Sequence, residues 1–131
     1  KGIMSVDDAK KAVDIGCSGI MISNHGGRQL DGSTTPFDQL KAIVDAVGDK
    51  IDVICEGGIQ RGTHILKALS IGAKACSGGR LYLYALAAAG QEGVERALGQ
   101  LNAELERDMK LVGCKNIKEL SEKNLRFRNQ L

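Results

Sequence analysis

Apolar residues along this chain follow two alternating rhythms. Short unbroken runs around Gly19-Ile20-Met21-Ile22, Asp52-Val53-Ile54-Cys55 and Ala75-Cys76-Ser77 predict buried parallel strands at about residues 19–23, 52–55 and 75–77. Between them the spacing shifts to three and four. Ala9, Ala12 and Val13, with Val6, form a helical stripe behind a Ser5 N-cap, and Asp7 and Asp8 sit where the helix dipole favours them. Pro36 and Phe37 open a second helix with Leu40, Ile43, Val44 and Val47 inside. Thr63 is the expected cap of a third, through Ile65, Leu66, Ala68 and Leu69. Gly16, Gly48 and Gly72 each stop a helix shortly before a strand begins. Helix, glycine, strand and loop thus recur three times, which calls for a parallel sheet. Right-handed connections then put the helices on one side of it.

Beyond Arg80 the pattern is wholly helical. Leu81 to Ala89 is apolar and alanine-rich and should end at Gly90. Glu92 to Val112 is amphipathic, with Val94, Leu98, Leu101, Leu105, Met109 and Val112 on one stripe. Asn116 caps a last short helix through Ile117 and Leu120. A domain over 1–120 is therefore followed by a basic tail over 121–131, expected to be a surface extension. Lys1-Gly2-Ile3-Met4 reads as the end of an element already under way.

Composition narrows the function classes. The 131 residues are 43% hydrophobic and 26% charged, as in one soluble domain. A complete (β/α)8 barrel needs roughly 250 residues, about twice this length. A net charge of +2 and 3% aromatics argue against a nucleic-acid partner. Cys17, Cys55, Cys76 and Cys114 form no CxxC pair, so no metal site is expected and a cytoplasmic, reducing setting fits. No apolar run reaches the 18 or so residues of a membrane span, and peripheral attachment to the inner face of a membrane is not readable from this stretch.

The chemistry gathers in the loops after the strands. Ser23-Asn24-His25-Gly26-Gly27-Arg28 holds an imidazole, two glycines and a guanidinium. Histidine exchanges protons near neutral pH, and arginine clamps a carboxylate through two parallel N–H bonds. A base beside an anion clamp at a strand's C-terminal end is where an α/β barrel keeps its active site. Gly57-Gly58-Ile59-Gln60-Arg61-Gly62 and Gly79-Arg80 each lead into a helix, where exposed N–H groups and the dipole make an anion site. Two such loops in succession favour a phosphate.

These three loops resemble the FMN-dependent α-hydroxy-acid dehydrogenases and oxidases, over Lys1 to about Leu120. Ser-Asn-His-Gly-Gly-Arg-Gln-Leu-Asp at Ser23 to Asp31 is highly specific to that family, and Leu83 to Gly90 agrees; the wording is nearest the lactate dehydrogenase branch. Other phosphate-binding barrels share late glycine loops but lack the His-Gly-Gly-Arg-Gln run. The resemblance implies an α/β fold, the C-terminal part of a (β/α)8 TIM barrel with about three βα units plus C-terminal helices. It implies oxidation of an L-2-hydroxy acid of the lactate or glycolate class to the 2-oxo acid, with FMN as cofactor. His25 would be the catalytic base and Arg28 the partner of the substrate carboxylate. Lys1 and Ser23 would contact the flavin ring, and Glu56, Gly57, Gly58, Gln60, Gly79 and Arg80 would complete the cofactor site.

Three departures stand out. Glu56 replaces the family's usual aspartate, Gln60 its first arginine, and Ser77-Gly78 an apolar pair that completes the last strand. The family's first four βα units have no counterpart here. Ile20, Ile22, Val53, Ile54 and Cys55 should therefore face a barrel interior left partly uncovered. The expected remedy is self-association or pairing with a missing N-terminal half. The alternative reading is an inactive half-barrel that binds phosphate or FMN, or that self-associates.

Overall fold

The computed structural model describes residues 1–128; Asn129, Gln130 and Leu131, the end of the expected tail, lie outside the described residues. The elements run α1 (Val6–Asp14), β1 (Gly19–Ile22), α2 (Pro36–Val47), β2 (Asp52–Glu56), α3 (Gly62–Ile71), β3 (Ala75–Ser77) and α4 (Arg80–Leu111). Single 3₁₀ turns follow at Ile117–Glu119 and Glu122–Asn124. The strands pair in parallel in the order β1-β2-β3. This is an α/β fold with three βα units on a parallel sheet, as the alternation predicts, and it matches the part of a (β/α)8 barrel that the resemblance implies. Ile3 bridges in parallel to Ile22, and the Gly2 N–H donates to the Met21 carbonyl, so the first residues run beside β1.

Local chemistry explains the boundaries. Ser5 caps α1 by accepting the Asp8 N–H at 3.1 Å. At the other end, Gly16 turns left-handed (φ 85°) while its N–H and that of Cys17 close on the Val13 and Ala12 carbonyls. Thr35 caps α2, and Pro36 stands in its first turn. Gly90 (φ 58°, ψ −140°) breaks α4 at the expected stop. Among the described residues, no helix is long and apolar enough to cross a membrane.

Which face each strand residue occupies corrects one expectation. Ile20, Ile22, Val53 and Cys55 are at most 5% exposed, packed against Leu40, Ile43, Val47 and Ala68 of the helices. They do not look into the barrel interior. Strand side chains alternate between faces, so of the five expected there only Ile54 lies on the open side, beside its register partner Met21. Both are half-buried. A run of exposed large apolar side chains lies instead on the first half of α4, at Tyr82, Leu83, Tyr84 and Leu86.

The end of the chain differs as well. Leu125 and Phe127 pack against the main core, and Glu122 pairs with Lys41 at 2.8 Å, so the described part of the tail is anchored on the domain. The second half of α4 packs on α3 through Leu105 and Met109 against Leu66 and Leu69. The two helices come close at Gly62, where a Cβ would run into the Leu105 backbone nitrogen and the Glu104 side chain. Backbone cannot yield as a side-chain tip can. Gly62→Ala should therefore destabilise the fold by about 1–3 kcal/mol, read as a lower urea midpoint. An unchanged midpoint would mean that the two helices are not held at this distance.

Candidate active site

In-register parallel strands end together. The loops leaving β1, β2 and β3 enclose a cavity of about 360 Å³. Lys1, His25, Arg28, Glu56, Gly57, Gly58, Gln60, Gly79 and Arg80 line it, joined by Tyr82 and Leu83 from α4. Of the candidate residues read from sequence only Ser23 is off the wall. It lies 2% exposed just beneath, touching three of the others.

Ser23 is the centre of a small polar cluster. Its hydroxyl donates to Glu56 Oε2, and its oxygen accepts Lys1 Nζ at 2.8 Å and the His25 N–H at 3.1 Å. Lys1 Nζ also reaches Glu56 Oε2 at 3.2 Å. The loop above is shaped by Asn24, whose side-chain oxygen accepts the Gly26 and Gly27 N–H groups at 3.1 and 3.3 Å. His25 adopts a left-handed backbone (φ 57°), uncommon for a residue with a Cβ. From the far wall, Arg80 Nη2 donates to the Gly26 carbonyl at 2.8 Å. The arginine expected to face a phosphate thus also ties the start of α4 to the His25 loop. His25 and Arg28 are both exposed along the rim.

The start of α3 corrects the expected anion site. Its cap position is Arg61, whose own side chain makes no cap bond. Thr63 donates instead to Asp108 Oδ2 on α4 at 2.9 Å. The Gly62 N–H donates to Glu104 Oε2 at 2.8 Å, and Arg61 Nε reaches both oxygens of that carboxylate at 3.0 Å. A side chain of this chain thus occupies the positive end of α3. The start of α4 differs: Gly79 caps it without a side-chain bond, and its first residues line the cavity.

Sequence reading missed two residues. Asn24 was findable as an Asx-turn former directly before a Gly-containing loop. Glu104 was findable as a carboxylate inside the apolar stripe, between Leu101 and Leu105, where it is 5% exposed. Among the described residues, no three His, Cys, Asp or Glu side chains come together to hold a metal.

A profile of the family described as FMN-dependent dehydrogenase matches residues 1–127. The chain is 48% identical over 120 residues to an L-lactate oxidase of Nostoc sp., covering 92% of this chain and 33% of that protein. It is 47% identical over 131 residues to 2-hydroxyacid oxidase 1 of Mus musculus, covering 100% of this chain and 35% of that one. Among solved structures, mandelate oxidase with benzoyl-formic acid superposes with a TM-score of 0.85 at 47% identity, over 89% of this chain and 35% of the other. The chain spans about a third of the length of the curated relatives it matches.

Glu104 makes acid stability a test of the α3–α4 junction. Hydrogen bonds from Arg61 and the Gly62 N–H pull its carboxyl down to about 2, from an ordinary 4.5. A group depressed on folding contributes its full stability above the unfolded value and loses it as pH falls toward the folded one. The stability gap between wild type and Glu104→Gln should thus be widest above pH 5 and narrow steadily toward pH 2, in urea unfolding across that range. A gap independent of pH would remove the charge from the explanation.

Proposed function

The chain belongs to the FMN-dependent dehydrogenase family, and on that premise we propose that it forms part of an enzyme oxidising a small L-2-hydroxy acid to the 2-oxo acid. The substrate class would be lactate or glycolate. The observation that carries this reading is the meeting of His25, Arg28 and Lys1 with two glycine loops around one cavity.

The residues present fit FMN. Gly57, Gly58, Gly78 and Gly79 put bare backbone on one wall, and a Cβ on Gly58 would meet nothing within 4 Å. Beside them α4 begins uncapped, a ready position for an anion. The N–H groups of Gly57, Gly58 and Gly79, with Arg80, would hold the phosphate; Gln60 adds a neutral contact. Lys1, Ser23 and Glu56 would stand at the ring end. FMN, when bound, supplies the acceptor for the two electrons of the oxidation.

The chain's own groups do the rest. Arg28 presents two N–H donors to the substrate carboxylate and so anchors that end of the hydroxy acid in the cavity. His25, exposed on the cavity wall, takes up the proton that the substrate releases. Lys1 holds positive charge at the ring end, partly offset by Glu56 at 3.2 Å. A cytoplasmic setting goes with this reading, since cysteines without a paired motif suit a reducing compartment.

The exposed Tyr82, Leu83, Tyr84 and Leu86, with half-buried Met21 and Ile54 on the open sheet face, favour a second element. This surface would be covered by self-association or by the other part of a barrel. Several hundred Å² of apolar burial contributes on the order of several kcal/mol at roughly 25 cal/mol per Å². Gel filtration with light scattering should show the chain alone as a dimer or larger, and a compact monomer would count against self-association.

Adding FMN to purified chain tests the cofactor reading: bound flavin should quench in fluorescence, and no quenching at any concentration would overturn FMN binding by this chain. In an assembly that turns over, His25→Ala should lower kcat by about 10²–10⁴ while FMN stays bound. Arg28→Lys should raise KM by about tenfold or more, because a point charge cannot reproduce the two-pronged contact. Normal kinetics in either variant would strip that residue of its role.

A further inference from the structure

We propose that Glu56 is a positioning residue for His25, acting through Ser23. The inference rests on the reading of His25 as the base, but its geometry stands apart from any cofactor. A serine hydroxyl has one proton to give and two lone pairs to offer. At Ser23 all three are committed: the proton to Glu56, the lone pairs to Lys1 Nζ at 2.8 Å and the His25 N–H at 3.1 Å. Fixing the proton on a carboxylate stops the hydroxyl from rotating, and the remaining lone pair is thereby aimed at His25.

That bond matters because His25 holds φ 57°, a conformation that persists in a residue with a Cβ only where its surroundings impose it. Asn24 and Arg80 restrain the glycines that follow. Among the described residues, the His25 N–H itself bonds only Ser23. The Ser23 hydroxyl in turn gives its proton to one group, Glu56.

Side-chain length is decisive here. An aspartate would withdraw the carboxyl by up to one C–C bond, about 1.5 Å, and so lengthen and weaken its bond to Ser23. The backbone cannot make up the difference, because Ile22 is paired with Cys55, and Glu56 with Ser77. The glutamate that departs from the resembled pattern is therefore the residue that reaches across from β2 to the end of β1.

The test is amide hydrogen exchange and ¹⁵N NMR of the full chain, in wild type, Glu56→Gln, Glu56→Asp and Ser23→Ala. Glu56→Gln keeps an acceptor at the same reach and should hold protection of the His25 amide within about twofold. Glu56→Asp should lower that protection by tenfold or more and move the His25 amide signal, while the amides of Val53 and Cys55 stay as in wild type. Ser23→Ala should give the same loss, and adding Glu56→Asp to it should cost nothing further. Unchanged His25 protection in a folded Glu56→Asp or Ser23→Ala chain would overturn the proposal, as would equal losses in the Gln and Asp variants. FMN titrated into the same samples keeps the two readings apart: failure to bind in all of them would strike the cofactor reading and leave the His25 result standing.

Discussion

Parallel pairing in register is the constraint on which the rest of this structure depends. Antiparallel strands would deliver successive loops to opposite edges. Three parallel strands paired Ile22 to Cys55 to Cys76 deliver them to one. The imidazole loop, the glycine loop after β2 and the Gly79-Arg80 turn, far apart in sequence, therefore share a cavity wall. The same pairing fixes the other dimension. Alternation sends Ile20, Ile22, Val53 and Cys55 under the helices, where burial pushes the Cys55 thiol up to about 11 and that of its neighbour Cys76 to about 12. Thiols held so far on the protonated side are packing groups, not nucleophiles.

Two carboxylates divide the remaining electrostatic work. Glu104 sits at the start of α3, where it accepts a backbone N–H and the Arg61 guanidinium, and so joins α3 to α4. That end of α3 is consequently neutralised from within. Glu56 lies at the opposite end of the same connection, on the floor of the cavity, where it offsets Lys1. The positive character left on the cavity wall comes from Arg28, Arg80 and the uncapped start of α4. An anion entering the cavity meets its attraction there and not at α3.

Much of this could be read from sequence, and the residues show why the rest could not. Strand and helix positions followed from apolar spacing, and the glycines, His25 and the arginines of the wall from the place of their loops after strands, while Lys1 and Glu56 came from the family resemblance. The burial of Leu40, Ile43 and Val47 followed likewise from a 3.6-residue period. Strand facing failed because a run such as Val53-Ile54-Cys55 is apolar on both sides and carries no alternation to read. Thr63 looked like a cap because threonine is a good one, but Asp108, forty-five positions on, takes its hydroxyl. Leu125 and Phe127 looked like part of a basic tail because their neighbours are charged, and only the folded core shows where they rest. In each case the missing information was a partner distant in sequence.

The histidine loop gathers these effects in one place. From below, the Ser23 hydroxyl holds the His25 amide; from within, Asn24 folds the two glycines; from across the cavity, Arg80 grips the Gly26 carbonyl. A Cβ at Gly26 would stand 2.6 Å from the Arg80 nitrogen and push the guanidinium tip aside, and the left-handed φ of 70° there favours a glycine in any case. The glycine after the histidine thus serves as the landing point for a side chain that starts at the head of α4 on the far wall. The histidine loop and the start of α4 are joined by one guanidinium. The first residue of α4 is for that reason tied to the carbonyl next to His25, although the two are separated by more than fifty positions in the chain.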